Sequence, residues 1–129
     1  EAGSVATDFE VVSYPQNLER CQRYYQVPNQ GYRMDNHVAN CYSSTTAYGL
    51  IHLIVSMRAV PSVTWNAVGS GDIQGFANDG EKTITSISSS QLGQYTVGYN
   101  VAGTFTAGSA VHFNNYDTTN PFVKVSSEL

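Results

Sequence analysis

The groups able to do chemistry are three histidines, two cysteines and ten carboxylates, and their spacing limits what they can do. Asp79 and Glu81 flank Gly80, so one could act as general acid and the other as general base. The same Asn78-Asp-Gly80 run also serves as a turn, the commoner use of such a sequence. Asp72, Asp79 and Glu81, with Asn78, place oxygen donors around a Gly-rich stretch, a conceivable calcium set without EF-hand spacing. His37, His52 and His112 lack metal-ligand spacing and read as surface or interface histidines. No Gly-x-Ser-x-Gly, His-Glu-x-x-His or phosphate-binding loop occurs. The expectation is a chain with no catalytic set, no resident metal and no cofactor.

The aromatic surplus carries more information. Nine tyrosines stand in a chain rich in Asn, Gln, Ser and Thr. A tyrosine ring stacks on the CH face of a sugar while its hydroxyl bonds to the sugar's own. Tyr32, Asn36, His37, Asn40, Tyr42 and Tyr48 fall in one polar stretch and form the candidate carbohydrate-binding set. The competing reading is that these rings pack beneath long loops.

Positioning these residues requires strands. Val, Ile and Thr supply 30 residues and the aromatics 15, against 14 of Leu, Met, Lys and Glu. β-branched and aromatic side chains suit a pleated, half-buried surface, whereas the last group favours helices. Phe9–Tyr14 reads as a first strand ended by Pro15, with one helical turn at Gln16–Arg20 that Asn17 could cap. Cys21, Arg23, Tyr25 and Val27 alternate as the inward face of a second strand, where Arg23 would need a structural partner. Residues 32–48 promise short strand fragments at most. Leu50–Ala59 is the strongest strand, with Ile51, Leu53, Val55 and Met57 on a core face and Leu50, His52, Ile54 and Arg58 on a mixed face. Further strands are expected after Pro61, at Ile73–Ala77, Thr83–Ser88, Tyr95–Val101, Val111–Phe113 and Phe122–Ser126. Ile84 and Ile87 have opposite parity, which predicts a bulge. Eight or nine strands make an all-β, two-sheet antiparallel sandwich of jelly-roll type, one domain over residues 1–129.

Charge and length exclude several classes. The formal net charge is −4 and only 12% of residues are charged, without the basic face a nucleic-acid binder needs. No apolar run approaches the ~18 residues of a membrane helix. Glu1 leads to the expectation of a processed chain or a piece of a longer one, and no signal peptide pattern or Asn-x-Ser/Thr sequon is present. Cys21 and Cys41 are too few for a metal site; two buried thiols are the expectation, with a disulfide left open.

Three segments, Leu18-Glu-Arg-Cys-Gln-Arg-Tyr-Tyr25, Met57-Arg-Ala-Val-Pro-Ser-Val-Thr64 and Val125-Ser-Ser-Glu-Leu129, occur in an order and spacing that resembles a β-sandwich module. That module is found at or near the C-terminus of bacteriophage tail-fibre, tailspike and other virion structural proteins. The resemblance covers roughly residues 8–129. Many relatives have Thr where this chain has Ser62, and Trp and Asp where it has Val125 and Ser126. It implies a homotrimer on the virion surface, in contact with other virion proteins, that helps recognise host-surface glycans and has no catalytic set. The mixed face of Leu50, His52 and Ile54, with Arg58, is what a threefold interface would cover. Two rivals remain: a capsid-decoration protein with no glycan role, and an accessory module holding polysaccharide for a depolymerase.

Overall fold

A computed structural model of the chain describes residues 12–28, 37–66 and 73–127. Among the described residues one helix, α1 (Tyr14–Gln22), precedes ten strands. They are β1 (Tyr25–Gln26), β2 (His37–Cys41), β3 (Thr46–His52), β4 (Ser62–Trp65), β5 (Ile73–Ala77), β6 (Gly80–Lys82), β7 (Ile84–Leu92), β8 (Thr96–Gly103), β9 (Ala110–Asn115) and β10 (Val123–Ser126). Every pairing is antiparallel. The large sheet runs β6-β5-β9-β2-β3-β8-β7, and the small one β1-β10-β4. The all-β two-sheet sandwich expected from composition is what forms.

Alternation builds the core. Val97, Tyr99 and Val101 on β8, Val111 and Phe113 on β9, and Val123 and Val125 on β10 are all buried. Trp65 ties the sheets together: its ring packs 5.4 Å from Tyr99 and 5.7 Å from Phe122, and its Nε1–H donates to Ser89 Oγ on β7 at 3.0 Å. The large sheet is curled. Its two edge strands, β6 and β7, are separated in sequence by Thr83 alone, so the edges must approach at that corner.

One glycine is needed in the middle of β3. Gly49 pairs with Tyr99, and the Tyr99 ring crosses the space a Cβ would fill to donate its hydroxyl to the Val38 carbonyl at 3.2 Å. An aromatic ring laid across a strand glycine covers backbone that would otherwise lack a packing partner.

Several expectations are corrected. Tyr14 belongs to a helix, not a strand; Phe9–Val11 lie outside the described residues. The helix starts at Ser13 rather than Asn17: Gln16 Oε1 accepts from the Ser13 N–H at 3.3 Å and its hydroxyl at 3.1 Å, a capping box. Pro15 sits in the first turn, where its missing N–H costs nothing. Cys21 is in this helix and exposed, Arg23 and Tyr25 are exposed, and Gln26 is the buried residue of β1. Both cysteines are free, with Cys41 alone buried. The strand expected through Ala59 stops at His52. Beyond it, Gln26 holds the backbone: its Oε1 accepts from the Ile54 N–H at 2.9 Å, and its Nε2 donates to the Val55 carbonyl. The stretch expected to hold strand fragments contains β2, in the middle of the large sheet. The bulge is present, as a register shift between Ile84 and Ser86 against β8.

Candidate functional site

Six adjacent strands, β5, β9, β2, β3, β8 and β7, contain no Asp, Glu, Lys or Arg. Charge begins only at the β6 edge, with Glu81 and Lys82. Since Ala39, Cys41, Ala47, Ile51, Val97, Tyr99, Val101, Val111 and Phe113 point into the core, the residues between them form the outer face. Register sets them in two rows. Ala110, Asn40, Tyr48, Asn100 and Ser88 are successive partners across β9, β2, β3, β8 and β7. Phe76, His112 and Val38 are successive partners across β5, β9 and β2, and Leu50 stands next to Val38.

The face is shallow and half apolar. Val38 is 58% exposed and Leu50 48%. Phe76 and His112 stack with ring centroids 5.6 Å apart. The Tyr48 hydroxyl lies 3.4 Å from Gln91 Oε1, which fixes the ring against β7. A depression of about 410 Å³ runs between Asn40, Tyr48, Leu50 and Ala110. A second, of about 370 Å³, lies between Pro28, Val38, Leu50, His52 and Ile54 at the other end of the strands.

The fold sorts the candidate residues. Asn40 and Tyr48 are brought together as a cross-strand pair, and Tyr42, 62% exposed, lies in the hairpin loop two residues beyond Asn40. His37 is not with them: it is 5% exposed, its ring 4.5 Å from Phe122 and 6.5 Å from Tyr99. Burial lowers its pKa to about 4, and Nε2 has no hydrogen-bond partner. Tyr32 and Asn36 lie outside the described residues. Leu50, His52 and Ile54 do share one depression, but Arg58 lines a different one with Arg20, Arg23 and Tyr24. Sequence reasoning missed Phe76, Val38 and Asn100, while His112, read as a surface or interface histidine, is exposed on this face. Their signal was available, as odd-one-out positions between buried neighbours, but partner strands could not be assigned from the chain alone.

Two of the carboxylates, Asp79 and Asp117, are engaged in turns, whereas Glu81 stands exposed on β6. Asp79 pairs with Lys82 Nζ at 2.6 Å and accepts from Thr106 Oγ1 at 3.0 Å, contacts that hold its pKa below the usual value. Asp117 accepts from the Asn120 side-chain amide at 2.8 Å and from the Thr119 and Asn120 N–H groups, and its pKa falls to about 2. Asp72 lies outside the described residues. Among the described residues no group of three His, Cys, Asp or Glu is arranged to hold a metal, and no helix is long and apolar enough to cross a membrane. The outer face therefore offers stacking rings, amides and hydroxyls, which recognise uncharged polar surfaces by contact and hydrogen bonding. Against known proteins, the chain matches no family model, no curated protein and no solved structure.

Proposed function

We propose that this chain is a non-enzymatic bacteriophage virion module of the tail-fibre or tailspike kind. It works as a homotrimer and holds neutral host-surface saccharide on the uncharged face of its large sheet. The observation that carries this reading is the run of six charge-free strands presenting Asn40, Tyr48, Asn100 and Ser88 in one row, with Asn40 and Ser88 exposed and Tyr48 and Asn100 half-buried. A charged face would penalise a neutral ligand by holding its own hydration; amides and a fixed tyrosine ring exchange water for sugar hydroxyls at little cost. The apolar end of the same face, around Leu50 and Ile54, supplies the subunit contact.

Binding of the intact chain to a glycan array, repeated with Tyr48→Ala and Asn40→Ala, tests it. The expected result is selection of neutral glycans by the wild type and loss of signal in both variants. Absence of glycan binding together with attachment to capsids would favour the decoration reading instead. Glycan binding that both variants retain would place the ligand elsewhere.

A further inference from the structure

The segments that carry the family resemblance lie far apart in sequence, and the fold brings them to one corner. Arg23 closes α1, its N–H on the Glu19 carbonyl. The Arg23 carbonyl then accepts from the Arg58 N–H at 2.9 Å and from the Ser127 hydroxyl at 3.0 Å. The Ser127 N–H reaches the Tyr24 carbonyl at 2.8 Å. Beside this junction lies a depression of about 280 Å³ lined by Arg20, Arg23, Tyr24 and Arg58.

Half of the chain's six cationic side chains meet here, in a protein of net charge −4. Among the described residues none of the three guanidiniums forms an ion pair; the salt bridge present, Lys82 to Asp79, is on β6. The Arg58 guanidinium lies 5.7 Å above the Tyr24 ring, a cation–π contact that fixes it without neutralising it. Arg20, in the last turn of α1, complements the helix dipole. That accounts for one arginine, not three. Like charges around a hollow repel unless an anion sits between them. A guanidinium's planar fork matches a carboxylate in two-point contact.

We propose that this corner is a carboxylate site, distinct from the uncharged face and independent of its reading. The carboxylate comes from an acidic sugar unit such as a uronate, or from Glu128, the residue next after Ser127 in the sequence.

Titration of the intact chain with sodium glucuronate, followed on the arginine Nε–H resonances with glucose as the neutral control, tests it in Arg23→Gln, Arg58→Gln and Glu128→Gln backgrounds. If the site is open, the wild type binds glucuronate but not glucose, and Arg58→Gln weakens binding about tenfold. If Glu128 fills it, the wild type binds neither sugar and Glu128→Gln acquires glucuronate binding. In that case Glu128→Gln and Arg58→Gln lower the thermal midpoint less together than the sum of their separate effects. Two outcomes overturn the proposal. One is glucuronate binding that Arg23→Gln and Arg58→Gln leave unchanged. The other is no discrimination between the sugars in either the wild type or Glu128→Gln, with additive stability effects. The three arginines are exposed, so the variants keep the core intact.

Discussion

His37 is a base lodged among rings, with Phe122 and Tyr99 against it and no partner for Nε2. In the unfolded chain it takes a proton near pH 6.5; in the fold, burial delays that until about 4. Below 6.5 the unfolded state therefore binds the extra proton and gains. Stability is complete above pH 6.5, falls as pH drops, and levels off below about 4. At about 1.4 kcal/mol per pH unit, the loss levels off at about 3.5 kcal/mol. Asp117 acts lower: held at about 2 by the Asn120 side chain and the Thr119 and Asn120 N–H groups, it withdraws stability only below its ordinary 3.8. The windows do not overlap, so urea midpoints between pH 7 and pH 4 isolate the histidine. His37→Phe should flatten that dependence; an unchanged slope would show that another group titrates. Gly49 makes a second test at this scale. Gly49→Ala places a methyl inside the Tyr99 ring and displaces its hydroxyl from the Val38 carbonyl. A loss of about 2 kcal/mol or more is expected in chemical denaturation.

Elements differ in what holds them. Helix α1 buries none of its side chains, so its capping box governs only local order. Ser13→Ala should speed amide exchange across α1 and leave the global thermal midpoint almost unmoved. Residues 53–57 are the opposite case: an irregular segment gripped by the buried side chain of Gln26 and by the Gln94 and Tyr95 carbonyls. Gln26→Ala strands the Ile54 N–H and the Val55 carbonyl, at about 1–3 kcal/mol for each group left dry. Exchange at Ile54 should quicken more than at Leu53, whose N–H stays on Tyr95. These two elements also mark what was legible in the sequence. β8, β9 and β10 could be read because large apolar residues alternate with small or polar ones. The bulge in β7 could be read because two isoleucines break parity. The segment 53–57 alternates equally well, yet Gln26, 28 residues before Ile54, supplies the hydrogen bonds that a neighbouring strand would have supplied. β2 was hidden for the converse reason: its inward residues, His37, Ala39 and Cys41, are small or polar and give no apolar rhythm. The site was legible only in part. Asn40 and Tyr48 could be singled out by type, but that they face each other, and that His37 turns inward, depends on strand partners.

At the scale of the whole molecule, an exposed apolar cluster is the surface that the proposed trimer would cover. Val38, Leu50 and Ile54 are 58%, 48% and 73% exposed and lie around one depression at the end of a charge-free sheet. Apolar contact of this kind is covered in an assembly at a gain of about 25 cal/mol per Å². The homotrimer proposed here requires a solution mass about three times 14.0 kDa. It also requires a thermal midpoint that rises with protein concentration, because assembly stabilises by mass action. An Ile54→Asp variant alters a side chain that is outside the core and does not line the Asn40–Tyr48 depression, so it should stay folded while its mass falls to the single-chain value and its midpoint loses the concentration dependence. The saccharide row at Asn40 and Tyr48 survives in that variant. Its weak single-site affinity should persist, while array binding drops on the order of 10²-fold or more as the avidity of linked sites disappears. A wild type that stays at 14.0 kDa across concentrations removes the trimer and the avidity argument together. It would leave the uncharged face to be judged on single-site glycan binding alone.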